Sequence, residues 1–552
     1  MNTTSLLIYY CIGIAVTIVT AIAACTVTLK RTFRIPQWML LGIVGIVPLL
    51  LLIGQILKYE SLHMYVDVSH WLQLLHTIAT TGKPHAESVE LMVPGGLNYL
   101  SIHFVPLIAF FAIPFAFFPS PYTLFICNVL AMSSAVIPLY LLARQYVPHR
   151  TFAFGVVAAL FWYPTLQYIT LYEFETLRLS IPILLWMLYF CEQRRLSWYW
   201  TFVVLALLVR EEVSLTMFMF GCYLFWQERN RTIGLATALL SAAYFVLVTS
   251  LLMPELRGAA YTPIAAGWFS QFGTTPTEIL RGILTHPTLF ARTIFSPIKI
   301  ANIAMLFVPL LFIPLFAPMI LMSILANTGV GLLSGASEHS SYMLYYLSPS
   351  IPFIFYALIK AWPKCTVWLS QQYTSFPLLQ WEYAALHTML AGVIMAGVFF
   401  GPSPLAIQFW SNQLRPAPFR TQNFHWSTYV VTDHHRKADE FVHRIPDDAI
   451  VSAEQFLAPK LFQKKGTMVF PQLVSPDGKH QAEYVFIDKT NPMKTGVATI
   501  PDSWDGLRKR PQFYYDWVEQ HPEQWERVHA DDGYFLYHRK RVATTNKPDL
   551  RP

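Results

Sequence analysis

Apolar residues run along this chain in long unbroken blocks separated by short polar turns, not in the alternation of strands or the heptads of coiled coils. Crossing about 30 Å of hydrocarbon takes a helix of roughly 20 such residues. On that basis the pattern predicts spans near 6–29, 39–57, 120–143, 152–171, 178–191, 198–209, 213–226, 233–252, 300–316, 318–334, 343–359 and 384–401. The reading is an all-α polytopic membrane domain of about 12 transmembrane helices. The block "FVPLIAFFAIPFAFF", Phe104 to Phe118, is shorter and contains Pro106 and Pro114, which predicts an interfacial or re-entrant helix. Leu6 to Leu29 has full spanning length with Lys30, Arg31 and Arg34 behind it, so a retained first span is expected rather than a cleaved leader.

Beyond Phe400 the hydropathy drops and charges and turn residues appear. "DHHRKADEFVHRI" has the spacing of an amphipathic helix, "AIVSA", "TMVFP" and "AEYVFID" read as short buried strands, and "WERVHADDGYFLYHR" as a hairpin turning on Asp532-Gly533. The expected organisation is a multi-pass domain over 1–409 with an outer loop at 58–119, a small α/β extracytoplasmic domain over 410–541, and a disordered tail at 542–552.

Composition agrees with a membrane protein: 54% of residues are hydrophobic and 13% charged. A net charge of +7 does not imply nucleic acid, because the basic residues stand singly and in pairs between apolar blocks, where they set topology. Lys30, Arg31, Arg34, Arg144, Arg150, Arg194, Arg195, Arg229, Arg231, Lys360 and Lys364 fall on one side, expected to be cytoplasmic, if Phe104 to Phe118 does not cross. The six cysteines lie in or beside apolar blocks without a CxxC pair, so neither disulfides nor a cysteine metal site is expected. No Walker loop, GxGxxG, nucleophile elbow or HExxH helix occurs, which argues against an ATP-driven pump or a familiar membrane hydrolase.

The acids gather on the opposite, outer side. Asp67 in "MYVDVSHWLQLLH" precedes the helical stripe Val68, Trp71, Leu72 and Leu75, and is either a helix-capping acid or a group with a task near the membrane. Glu173 and Glu175 in "LYEFETLRLSIPILLW" occupy a short outer turn; with Asp67 they could hold a divalent cation such as magnesium or manganese, divide into a base and an orienting acid, or be solvated loop acids. Arg210, Glu211 and Glu212 in "LLVREEVSL" interrupt apolar sequence and are either an ion pair joining two helices or part of a substrate path. His103 in "YLSIHFVP" is a candidate donor or acid–base group. In "SEHSSYMLYYLSP", His339 and Tyr346 are candidates for substrate binding, while most of Tyr342, Tyr345 and Tyr346 are expected in an aromatic belt at the headgroup level. "TDHHRK" lacks the partner spacing of a metal site at His434 and His435.

Several of these stretches together, "YVDVSHWLQ", "IHFVPLIAFFAIPFAFFPSPYTLFICNVL" with "IPLYLLARQY", "LYEFETLRLSIPILLW", "LLVREEVSL", "YYLSPSIPFIF", "IPDDAIVSAEQFLAPKLF" and "AEYVFID", resemble a family of prokaryotic multi-pass membrane proteins, domain of unknown function 2079, which is similar to the GT-C membrane glycosyltransferases. The chain departs from that family's pattern at Leu72, where a second Asp is usual before Gln73, and in the run Glu173 to Leu177, where an Asp-Phe-His-Pro-Glu-like run is usual.

The resemblance implies a GT-C-like fold and transfer of a sugar from a polyprenyl-phosphate carrier to an envelope acceptor at the outer face of the plasma membrane. Together with the readings of the residues above, the catalytic candidates are Asp67, Glu173 and Glu175 and the substrate-binding ones His103, Arg210, Glu211, His339 and Tyr346. In that scheme Asp67 is the base or acceptor-orienting acid, Arg210 stabilises the departing phosphate, and the stripe of Trp71, Leu72 and Leu75 lays its helix on the membrane surface. The partners would be the lipid-linked donor, membrane lipids and an envelope acceptor, with no nucleic acid. A transporter or flippase for a lipid-linked solute, or a scaffold with a degenerate site, is the alternative.

Overall fold

The computed structural model describes residues 3–31, 34–86, 98–147, 149–227, 230–257, 264–411, 414, 424–475, 478–490 and 511–540. Arg229 and the tail at 542–552 lie outside the described residues. The first half of the chain forms α1 (Thr3–Lys30), α2 (Gln37–Glu60), α3 (Val66–Thr81), α4 (Ala109–Phe117), α5 (Pro121–Ser133), α6 (Val136–Ala143), α7 (Arg150–Trp162), α8 (Pro164–Leu171), α9 (Ser180–Glu192), α10 (Leu196–Leu207), α11 (Val213–Trp226) and α12 (Arg231–Leu247). After a series of short helices and turns come α13 (Ser350–Gln372) and α14 (Leu378–Phe400).

Five helices among the described residues are long and apolar enough to cross a membrane, and up to seven if two bent pairs each count as one span. The count therefore differs from the expected 12. Proline accounts for much of the difference. Pro164 separates α7 from α8, which meet at 48°, because proline lacks the N–H that the next turn needs. The block expected to span 300–316 is instead Pro297–Ala304 followed by 3₁₀ turns at Val308–Leu310 and Ile313–Phe316, with Leu311 and Phe312 at φ of 52° and 59°. The helix expected at 343–359 starts later and runs further, as α13, behind a 3₁₀ turn at Tyr345–Leu347.

The long helices keep apolar faces exposed, as on α1 at Ile8, Val19 and Ile22, which is the pattern of a lipid-facing surface. Where helices meet, small residues let the backbones approach. A Cβ added at Gly221 of α11 would lie 2.5 Å from the backbone N of Ala238, and one at Gly234 of α12 only 2.2 Å from that of Phe225. Gly234→Val should therefore force the pair apart and cost about 1–3 kcal/mol. Thermal unfolding of the detergent-solubilised protein should show a lower midpoint, while Gly42→Val, whose Cβ meets nothing within 4 Å, should melt like wild type.

The C-terminal part folds as a five-stranded sheet of order β2-β1-β3-β5-β4, with β1 (Ile450–Ala453), β2 (Gly466–Val469), β3 (Tyr484–Asp488), β4 (Trp525–Asp531) and β5 (Tyr534–Arg539). β1, β2 and β3 are mutually parallel and β5 joins antiparallel. The parallel strands are buried along their lengths, as strands covered on both faces must be. α15 (Asp433–His443) packs Ala438 and Phe441 against one face, and α16 (Pro511–Gln520) packs Trp517 and Val518 against the other. The hairpin turns on Asp532 and Gly533, both at positive φ (51° and 86°), the geometry that a two-residue type I′ turn requires.

His434 ties α15 to this sheet. Its Nε2 lies 3.0 Å from Asp488 and its Nδ1 3.0 Å from Asp532, and its ring stacks on Tyr534 at 4.3 Å. Partial burial alone would lower its pKa, but the hydrogen bonds and charges of Asp488 and Asp532 outweigh this and raise it. A raised folded-state value means the stabilisation is fully present below the unfolded value of about 6.5 and is lost as pH rises through the folded one. Between pH 6 and 9 the melting midpoint of wild type should thus fall towards that of His434→Gln, and a pH-independent gap between the two proteins would refute the linkage.

The sheet is not a separate appendage. Phe462 shares an apolar core with Trp71, Leu72 and Leu75 of α3 and Phe115 of α4. Lys460 pairs with Glu60 at the end of α2 (3.2 Å), Ser61 donates to the Thr428 carbonyl (2.5 Å), and the rings of Tyr65 and Phe456 lie 4.9 Å apart. The expectation that the stripe on α3 rests on the membrane surface is therefore corrected: Val68, Trp71, Leu72 and Leu75 are at most 1% exposed. Protein from α4 and the sheet covers the surface that lipid was expected to cover.

Candidate functional site

The turn between α2 and α3 is held from both sides, by the sheet on one and by the α8–α9 connection on the other. Tyr65 caps α3 and its backbone N–H donates to Glu173 Oε1 at 2.5 Å. Asp67 is thus the second helical residue and not the cap. α3 ends where Gly82 adopts the left-handed conformation (φ 71°) and donates its N–H to Ile78, the usual glycine stop.

Glu173 and Glu175 are not solvated loop acids. They are 0% and 6% exposed. Arg178 donates to the Glu173 carbonyl, closing the turn between α8 and α9. Arg210, itself 1% exposed, donates from Nη1 to Glu175 Oε2 at 3.3 Å and has Nε 3.6 Å from Glu212. Its Nη2 lies 2.9 Å from His103 Nε2, and His103 Nδ1 is 3.0 Å from Glu211 Oε1. Arginine can only donate, so His103 accepts at Nε2 and its proton sits on Nδ1, facing Glu211. Glu211 Oε2 also takes the backbone N–H of Phe104 at 2.8 Å. One chain of hydrogen bonds therefore links Glu175, Arg210, His103 and Glu211, fixing the entry to α4 against the α10–α11 junction.

A layer of aromatic rings continues from Arg210. Its guanidinium lies 5.7 Å from the Tyr345 ring centre, Tyr345 is 4.3 Å from Tyr346 and 5.6 Å from Tyr172, and Tyr346 is 4.7 Å from His339. His339 packs on Trp268 at 3.9 Å and shares a hydrogen bond with Ser334. Burial, with the charges of Arg210 and Lys299, pushes its imidazole down to about 4, leaving it neutral. Tyr342 and Tyr345 are 0% and 7% exposed, so the aromatic belt expected here is corrected. These rings turn inward, Tyr345 over Arg210 and Tyr342 against Tyr10 and Tyr168.

Asp67 stands apart from this network of pairs while sharing its field. It is half-buried, and burial pushes its carboxyl up to about 6. Burial also raises Glu175, to about 7, with Arg210 pulling it back and Asp67 adding repulsion, and Glu173, to about 8, against the pull of Lys58. The three acids thus lie within electrostatic reach of one another. Among the described residues, however, no group of three or more His, Cys, Asp or Glu side chains is placed to hold a metal ion. Glu175 is committed to Arg210 and Glu173 to the Tyr65 N–H. The donor set does not fit the magnesium or manganese ion expected as one option, and His434 is occupied by Asp488 and Asp532.

Sequence reading missed two cations. Lys58 is fully buried at the end of α2, between the rings of Tyr172 (5.8 Å) and Phe424 (5.4 Å), and neither its Nζ nor Glu173 Oε2 has a hydrogen-bond partner among the described residues. Arg178 is equally buried. Both follow or begin apolar blocks, where a positive charge reads as a topology marker. The two departures from the family pattern, Leu72 and Leu177, are each 0% exposed and lie in two different apolar cores.

The family model described as "Predicted membrane protein (DUF2079)" matches residues 58–533, which takes in the whole acid cluster and four of the five strands, ending just before β5. The chain belongs to this family. DUF2079 membership and the five apolar helices make it a membrane protein. No curated protein matches the sequence. Among solved structures, this DUF2079 protein is similar to ArnT from Cupriavidus metallidurans bound to undecaprenyl phosphate, at 12% identity and a TM-score of 0.47 over 92% of this chain and 99% of that one. It is likewise similar to ArnT from the same organism in the apo state, at 10% identity and a TM-score of 0.44 over 87% and 95% of the two chains.

Proposed function

We propose that this protein is a GT-C-type glycosyltransferase of the plasma membrane, moving a sugar from a polyprenyl-phosphate carrier to an envelope acceptor, with residues 410–541 forming an extracytoplasmic domain that helps to select the acceptor. The observation that carries the reading is the clustering at one end of the helical bundle of Asp67, Glu173 and Glu175 with Arg210 and His103. Asp67 takes the proton of an acceptor hydroxyl, the oxygen attacks the anomeric carbon, and the bond from that carbon to the carrier phosphate breaks. A base with a pKa near 6 is largely ionised at neutral pH and still basic enough to accept the proton.

Arg210 is too enclosed by Glu175, Glu212 and His103 to touch a phosphate, so we assign it a positioning role: it holds Glu175 and the His103 turn in place, and with Lys58 and Arg178 adds positive potential beside the departing phosphate. Because burial holds Glu173 and Glu175 partly protonated around neutral pH, the cluster repels an anionic carrier less than its count of carboxyls suggests. His339 and Tyr346 line the approach on the side of the aromatic layer, and Glu211 orients His103.

The reading is tested with purified full-length protein in nanodiscs, supplied with polyprenyl-phosphate carrying a radiolabelled sugar and with cell-envelope extract. Label transferred to an envelope component supports it. Label that stays on the carrier for every sugar tried, while the carrier changes leaflet, would replace transferase with flippase.

A further inference from the structure

At the end of the bundle opposite the acid cluster lies a cavity of about 440 Å³, lined among others by Tyr146, Tyr223, Gln227, Phe316, Met319, Lys360 and Lys364. Its place follows from chain direction: α13 begins beside Tyr345 of the acid cluster, reaches Lys360 at its middle and Lys364 a turn further on, while Gln227 follows the far end of α11, whose start adjoins Glu212. The volume falls in the range of about 300–1,000 Å³ usual for small-ligand sites.

The polar wall is built and held. Lys360 Nζ donates to the Tyr146 hydroxyl at 2.6 Å and pairs with Glu192 at 3.0 Å, and it sits 4.2 Å from the Tyr146 ring centre. The hydroxyls of Tyr146 and Tyr356 both donate to Glu192, so that carboxylate is turned inward and its charge is shared. An ammonium has three N–H donors; two are engaged, and the side chain remains 26% exposed. Gln227 donates to the Tyr223 hydroxyl, fixing another part of the rim. Lys364, one helical turn beyond Lys360, is exposed and makes no ion pair among the described residues. Two ammonium groups thus line the cavity, and Glu192 pairs with only Lys360, which leaves the charge of Lys364 uncompensated there.

The other wall is apolar and open outward. Phe316 is 66% exposed and Met319 45%, on a bundle whose outer surface meets hydrocarbon. A ligand matching both walls carries an anionic head and apolar chains. We propose that this cavity binds the phosphodiester headgroup of an anionic membrane lipid, in the leaflet opposite the acid cluster, with the phosphate on Lys360 and Lys364 and the acyl chains leaving past Phe316 and Met319. The site is independent of the proposed transfer chemistry, which uses none of these residues.

The test is native mass spectrometry of the full chain in detergent, titrated with dioleoylphosphatidylglycerol, with dioleoylphosphatidylcholine, and with the first lipid in the presence of inorganic phosphate. Phosphatidylglycerol adducts should be retained at least about fivefold over phosphatidylcholine, and Lys364→Gln should lose about that factor, the worth of one lysine near an anionic lipid. Met319→Glu, which adds negative charge at the mouth without touching the tyrosine–glutamate cluster, should weaken retention similarly. Lys360→Gln also disturbs the Glu192 pairing, so the proposal does not rest on it. Equal retention of the two lipids, or phosphatidylglycerol retention unchanged in both Lys364→Gln and Met319→Glu, overturns the site. Displacement of the lipid by millimolar inorganic phosphate overturns the lipid assignment in favour of a free anion.

Discussion

Asp67→Asn should lower sugar transfer by about 100- to 10,000-fold, the range expected when a positioned general base is removed, without lowering the melting temperature. The second half of that expectation separates chemistry from structure. Burial raises the Asp67 carboxyl to about 6, so at pH 8 the folded protein carries an ionised acid in surroundings that disfavour its charge. Asparagine removes that charge at nearly the same volume, and the midpoint should stay level or rise. Wild-type transfer should also rise with pH along a limb centred near 6, as Asp67 ionises, and the residual activity of the variant should lack that limb. A variant that transfers normally, or loses transfer and stability in parallel, would remove Asp67 from the chemistry.

Arg210→Met should be the most destabilising single change in the cluster. It leaves Glu175 and Glu212 without their cation and His103 without the donor at Nε2. Stranding buried charges in this way typically costs about 3–5 kcal/mol. The pH dependence gives the signature. Without the guanidinium the Glu175 carboxyl rises further above its present value of about 7. A group raised in the folded state contributes stability that is intact below its unfolded value and is lost as pH climbs through the folded one. The gap between Arg210→Met and wild type should therefore be small near pH 5 and widen towards pH 8 in thermal melts of the detergent-solubilised protein. Adding Glu175→Gln to Arg210→Met should recover part of the loss, since the carboxylate left stranded is then neutral; an unchanged double variant would place the cost elsewhere.

Much of the architecture was legible because lipid and water impose strong patterns. Long apolar blocks marked α1, α2 and α14, and alternating or buried runs marked β1 to β3 and the Asp532-Gly533 hairpin. Where helices are short, the pattern says less. Hydropathy cannot tell a lipid-facing residue from one packed against protein, so Trp71 and Leu72 read as a membrane-surface stripe and Tyr345 as a belt residue. The carboxylates stood out as charges in apolar surroundings. Their partners did not: Glu175 meets Arg210 and Arg210 meets His103 across long stretches of chain, and nothing in the local pattern encodes such pairings. Lys58 was missed for a related reason, since a lysine at a span end has the same sequence appearance whether it faces headgroups or lies buried beside Glu173.

The shared core of Phe462 with Trp71, Leu72 and Leu75 bears on how the molecule is made. The helix that carries Asp67 is synthesised early, but the ring that completes its packing arrives several hundred residues later, roughly 20–80 s at about 5–20 residues per second. Through that interval α3 has an uncovered apolar side at the membrane edge, and the Tyr65–Glu173 contact lacks its support from the sheet. Assembly of the site therefore waits on the last part of the chain. A nascent protein cut short before β1 would insert most of its helices and still be inert, with a sticky flank for membrane quality-control proteases to find.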